Sequence, residues 1–309
     1  MAGREIGGTL TGVLVRWALA LGTAGVLAAA PSAAVARTAG CPDTAGYASE
    51  DAANLSPAFS PDGRRLLFES DRGGESAIYV MTVATCSVTH VTAGMNPDWA
   101  PDGRRIVFQR IVGDTDRIFV ARADGTRVRQ LTRGPADSFP AWSPRGGWIA
   151  FDRDTSSERT GVERRNVYVV RPDGIGLRRL TSGWNLAPAW APEGRRIAWT
   201  CGDDVCVMTA DGKRKRRVTS SGDDPAWAPD GKRLVFEGGG PRGGTALFTV
   251  RIGHAPVPLT DETAGGDTSP DWSPDGKWIA FQRDTGRKTT DLFLIRPDGS
   301  GLRRLTARR

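Results

Sequence analysis

Residues 269–281 read SPDWSPDGKWIAF, and five other segments repeat that pattern: SPAFSPDGRRLLF from Ser56, NPDWAPDGRRIVF from Asn96, FPAWSPRGGWIAF from Phe139, APAWAPEGRRIAW from Ala187 and DPAWAPDGKRLVF from Asp224. Their first prolines, at 57, 97, 140, 188, 225 and 270, stand 37 to 48 residues apart. A period in that range marks a repeat architecture, each unit being one supersecondary element that buries its faces against its neighbours. Within a unit, a Pro-x-Trp or Pro-x-Phe strand runs into a Ser/Ala-Pro-Asp-Gly turn. There Pro presets φ at the second position, and Gly accepts the positive φ needed to enter the next strand. The second strand is an apolar run, as at 105–108, and the third follows a variable loop, as at 118–120. A second turn carries Asp-Gly at 124–125, 173–174, 211–212 and 298–299, and the fourth strand reads as ending at Thr92, Thr132, Thr181, Thr219, Thr260 and Thr306.

Short alternating strands, Gly/Pro turns at regular intervals and no helical period predict an all-β fold. Six such units predict a six-bladed β-propeller of four-stranded antiparallel blades over residues 56–306, with each first strand at the central channel and each Thr-ended strand outermost. Phe59, Trp99, Trp142, Trp190, Trp227 and Trp272 then read as packing between blades rather than as a stacking platform. Because the sixth unit is complete through Thr306, the ring is expected to close without borrowing a strand from the N-terminus.

The pattern P-x-W-S-P-D-G-K-x-I-A-F, followed by Asp-Gly and Leu-Thr, resembles the WD40-like (PD40) repeat of the TolB family of six-bladed propellers, from about Pro57 to Thr306. The resemblance implies an exported protein that acts without catalysis, by gripping partner proteins of the cell envelope. TolB proteins also carry an N-terminal α/β domain, for which residues 37–55 leave no room. The same repeat occurs in peptidase propeller domains and in oligogalacturonate lyases, so it speaks to fold more than to function.

Arg4 and Arg16 precede the apolar run 17–30, and small residues ending Ala34-Val35-Ala36 follow it, the order of a secretory signal peptide over residues 1–36. The run is shorter than the roughly 20 residues a membrane-spanning helix needs, so no stable insertion is expected after cleavage. Residues 37–55 read as a tail. Arg37 interrupts the approach to Cys41 and argues against lipidation there. Export to an oxidising periplasmic or extracellular compartment lets the four cysteines pair. Cys201 and Cys206 flank a short turn between two strands and are expected to bridge, which leaves Cys41 to join Cys86.

The net charge of +7 is spread, on this reading, over a surface where acidic residues are interspersed, so no nucleic-acid partner is expected. Charge on the outer strands reads as protection of sheet edges. No G-x-S-x-G, H-E-x-x-H or phosphate-binding glycine loop occurs. His90 and His254 fall on outer elements. Asp114 with Asp116, Asp203-Asp204 and Asp223-Asp224 read as turn residues, so no cofactor, no metal and no enzymatic activity are assigned. What remains is a binding face for a protein partner, on a monomeric ring, at the end where the variable loops open. Gln109-Arg110, Asp152-Arg153 and Gln282-Arg283 end three second strands alike, next to Asp284, and Trp184 has no repeat-related reason to be aromatic. Arg110, Arg153, Trp184, Arg283 and Asp284 are the candidate contacts. The alternative is a carbohydrate-active or carbohydrate-binding propeller.

Overall fold

A computed structural model describes residues 52–156, 161, 163–240, 243–261, 266–286 and 289–306. The expected signal peptide, most of the expected tail and Cys41 lie outside the described residues. The strands form six four-stranded antiparallel sheets, at 54–93, 95–130, 136–179, 185–217, 223–258 and 267–304, each with its strands in sequence order. These are the six blades of the predicted propeller, and among the described residues no helix is long and apolar enough to cross a membrane. Every blade comes from one contiguous stretch, so among the described residues blade six meets blade one without sharing a strand, as expected. The first strand starts at Asn54, two residues before the expected boundary.

The proline of each first strand shapes the inner wall. Proline has no N–H to give a ladder, so inside a sheet it is tolerated at a bulge. All six first-to-second strand pairings slip register there, for example between Leu55 and Ala58 and between Thr268 and Asp271. The residue before each proline takes up the bend with positive φ: Ser56 48°, Asn96 46°, Phe139 48°, Ala187 44°, Asp224 45° and Ser269 49°.

The N–H of each of these residues donates to a side chain at the end of the previous blade's second strand. The acceptors are Glu69 for Asn96 (3.3 Å), Gln109 for Phe139 (3.4 Å), Asp152 for Ala187 (3.3 Å), Thr200 for Asp224 (3.2 Å) and Glu237 for Ser269 (2.7 Å). Gln282 accepts from Ser56 at 2.8 Å and closes the ring in the same way.

Six apolar clusters hold the seams, each shared by two neighbouring blades; the closing one joins Phe59, Leu66 and Phe68 to Ala280, Leu292 and Leu294. Trp99, Trp142, Trp227 and Trp272 are buried in them, as predicted, while Trp190 is half-buried. At four seams the second cation of the turn lies over the next blade's Trp: Arg65 on Trp99 at 4.4 Å, Arg105 on Trp142 at 5.0 Å, Arg196 on Trp227 at 4.5 Å and Arg233 on Trp272 at 5.1 Å. The paired arginines of Gly-Arg-Arg thus have a packing role as well as charge.

The fourth strands differ from the sequence reading. In blades two to six they are two residues long, and the Leu-Thr or Val-Thr pair follows the strand instead of ending it. The threonine turns inward, and its hydroxyl accepts the N–H of a third-strand residue: Ile118 to Thr132 at 3.1 Å, Val167 to Thr181 at 2.8 Å, Val205 to Thr219 at 3.1 Å, Leu247 to Thr260 at 3.0 Å and Leu292 to Thr306 at 2.9 Å. These threonines cap a donor that the shortened strand cannot reach.

Candidate binding face

The meander order places the second-to-third hairpins and the blade-to-blade connections at one end of the ring, the loop end, and the remaining turns at the other, the turn end. A cavity of about 450 Å³ lies between the six first strands, lined by their prolines, by Phe139 and by Asp98, Asp224 and Asp271. Asp98 accepts the backbone N–H of Trp142 at 2.6 Å, and Asp271 that of Phe59 at 2.7 Å, each reaching across to the next blade. Burial raises Asp98 to about 6 against the pull of the Trp142 and Trp99 N–H groups, and raises Asp271 to about 7 against that of Phe59, with Asp98 and Asp224 adding repulsion. Burial also raises Asp224 and Glu237, which share a hydrogen bond; Asp223 then adds to the rise of Asp224, and Asp224 to that of Glu237.

The three candidate arginines lie on one repeat position, and all turn back onto their own ring. Arg153 is buried and grips Asp137 through both oxygens, at 2.5 and 3.0 Å. A Cβ at Gly134 would fall 2.2 Å from its guanidinium, so a larger residue there would press the arginine away from Asp137. Arg283 grips Asp267 in the same way, at 2.5 and 2.7 Å. Arg110 donates to Ala93 O and to Thr92 Oγ1 of blade one. Each lies over a stacked ring pair, Phe108–Phe119, Phe151–Tyr168 or Phe281–Phe293. In blade four, Cys201 and Cys206 occupy the arginine and outer-ring positions and form the expected disulfide, with Cα atoms 5.9 Å apart. Cys86 is also disulfide-bonded, and its expected partner Cys41 lies outside the described residues.

Two candidates remain exposed. Asp284 is in the blade-six hairpin, where its carboxylate accepts the Gly286 N–H at 2.7 Å. Trp184 is 43% exposed, while its backbone bridges Arg165 and accepts from Gly202. Sequence reading missed Phe139, which is 38% exposed beside the channel. It holds a left-handed conformation that bulky residues rarely adopt, at the position where the other blades place Ser, Asn, Ala, Asp and Ser. That contrast between copies was the available signal. His90 and His254 are exposed on the outer strand of blade one and the outer turn of blade five.

Comparison with known proteins agrees with this geometry. The family model described as the TolB beta propeller domain (PD40) matches residues 43–181. The Tol-Pal system protein TolB of Gluconobacter oxydans (strain 621H) is 39% identical over 166 residues, which are 52% of this chain and 34% of that protein. The match thus spans about a third of the relative's length. The crystal structure of TolB from Acinetobacter baumannii superposes with a TM-score of 0.57 at 18% identity, covering 77% of this chain and 65% of that one. An oligogalacturonate lyase in complex with manganese superposes with a TM-score of 0.58 at 15% identity, covering 82% and 77%. At such identities the two structures speak to fold alone. Residues 43–181 thus match the TolB-like PD40 propeller repeat, and the chain folds as a six-bladed β-propeller built of such repeats.

Proposed function

We propose that this chain is an exported, non-catalytic propeller that binds a protein partner across the loop end of its channel, in the periplasm or outside the cell. Phe139 carries the reading: a bulky aromatic is held in a strained conformation at the channel, where every other repeat has a small or polar residue. Trp184 and Asp284 extend the contact surface over the rim. Arg110, Arg153 and Arg283 belong to the same face as the clamps that hold its strands in place. Exposed aromatics on a rigid support are the usual anchors of a protein interface.

The Tol-Pal relative supports a protein partner. The second reading, a carbohydrate-active or carbohydrate-binding propeller, is compatible with the same fold, which the lyase shares. Both histidines lie on outer elements, away from the channel, so neither is placed to act there as a base or a metal ligand.

Affinity capture from envelope and culture extracts, followed by mass spectrometry, tests the proposal. A partner enriched by the unchanged protein should be lost with Phe139→Ser and Trp184→Ala combined, at an unchanged melting temperature. Equal capture by the variant overturns this face as the site. Release of unsaturated uronides from polygalacturonate would establish the second reading instead.

A further inference from the structure

The net charge of +7 conceals a strong polarity along the ring axis. The six first turns, at 60–65, 100–105, 143–148, 191–196, 228–233 and 273–278, carry ten Arg or Lys and five Asp or Glu. The third-to-fourth connections, at 83–87, 122–130, 171–179, 210–217, 251–258 and 296–304, carry fifteen Arg or Lys and four Asp or Glu. Both sets lie at the turn end, which backbone hydrogen bonds tie together, as in Ala123 N–H to Arg104 O and Ala210 N–H to Arg195 O. That end therefore holds sixteen net positive charges, and the rest of the chain nine net negative ones. The fold gathers on one end a charge that looks interspersed in the sequence.

The densest part spans blades three and four. Arg178, Arg179, Lys213, Arg214, Lys215 and Arg216 are all exposed, and of these six only Lys213 has an ion-pair partner among the described residues, Asp211. The two groups adjoin, since a Cβ on Gly212 would stand 3.2 Å from Leu180, the residue after Arg179. Aliphatic side chains project among these cations: Ile175 is 63% and Leu177 48% exposed, with Val128 and Val257 exposed on the corresponding connections of blades two and five.

We infer that the turn end of the propeller docks on an anionic lipid surface, its arginines and lysines meeting headgroup phosphates while Ile175 and Leu177 enter the interface. Charge complementarity selects an anionic surface. A soluble polyanion has no use for exposed aliphatic tips, whereas an interfacial contact buries them. Docked this way, the ring presents its acidic loop end away from the lipid. The inference does not depend on the partner reading above.

The test uses protein recovered from an exporting host, its N-terminus read by sequencing, in sedimentation with phosphatidylcholine vesicles and with vesicles containing phosphatidylglycerol. The protein should bind the anionic vesicles at least ~10-fold more tightly, with affinity falling as salt is raised. Replacing Arg214, Lys215 and Arg216 with Gln should weaken that binding roughly 100-fold, and replacing both arginines with Lys should preserve it. Ile175→Ser with Leu177→Ser should weaken vesicle binding ~10-fold and leave retention on a soluble polyphosphate column unchanged. Equal binding to neutral and anionic vesicles overturns the inference. So does vesicle binding that ignores the serine pair, which would mark the patch as a site for soluble polyanions.

Discussion

Glu237 stands where Gln109 and Gln282 make the same blade-to-blade hydrogen bond without a charge. Burial, and then the repulsion of Asp224, raise its carboxyl far above the ordinary value of 4.5. The native state therefore keeps a proton that the unfolded chain has released by neutral pH. The stability this contributes is fully present below the ordinary value and is lost as pH rises through the raised one. Asp271, raised to about 7, acts in the same direction. Urea midpoints of the unchanged protein should fall as pH increases from about 5 to about 8. Glu237→Gln should flatten that slope and add ~1–2 kcal/mol at about pH 8, less than the full shift because the side chain is only partly buried. An unaltered slope would show that Glu237 is not the titrating group. Arg153 behaves differently, because Arg153→Ala leaves the fully buried Asp137 without its partner. Denaturant unfolding should show a loss of ~3–5 kcal/mol, against less than ~0.5 kcal/mol for the exposed Trp184→Ala. Weak partner capture by Arg153→Ala would thus reflect folding, whereas weak capture by Trp184→Ala would reflect contact.

At the level of the strand, the recurring Thr is a cap. Thr181→Val keeps the side-chain shape and removes the acceptor of the Val167 N–H, so it should cost ~1–2 kcal/mol in denaturant unfolding. Thr132→Val and Thr219→Val should match it, since the same bond recurs in their blades. The hairpins, the buried tryptophans and the blade count were legible because proline, glycine and alternation act over a few neighbouring residues. The latch between blades was not. Its acceptor is Glu, Gln, Asp or Thr in different copies, and at five of the six seams it stands 24 to 35 residues before its donor within the chain, so no repeated letter marks it. For the same reason the arginines at 110, 153 and 283 looked like a free rim. The carboxylates that hold two of them lie 16 residues earlier, on the first strand, where the other copies carry different residues. Phe139 differs in type from the small or polar residues of the other copies, but its exposure beside the channel depends on how the ring assembles.

For the whole ring, the seam between blades six and one is built like the other five. Gln282 latches Ser56 as Gln109 latches Phe139, Asp271 reaches Phe59 as Asp98 reaches Trp142, and an apolar cluster fills the gap. Among the described residues no strand is shared across it, and closure comes from side-chain contacts. Chain order should then matter little to stability, because each blade carries its own four strands and each seam its own contacts. A circular permutant tests this. The chain is opened between Ser220 and Ser221, both exposed in the connection from blade four to blade five. Residue 309 is joined to residue 37, which keeps Cys41 available to Cys86. All six blades and five of the seams are untouched, and the opened seam keeps its side-chain contacts, losing only a covalent link whose worth is the closure entropy of a short loop. The permutant should unfold in one cooperative step, with a stability within ~2 kcal/mol of the parent. Stepwise unfolding, or loss of the folded state, would mean that the continuous connection between blades four and five supplies a constraint that the closing seam lacks, and that the six seams are not equivalent.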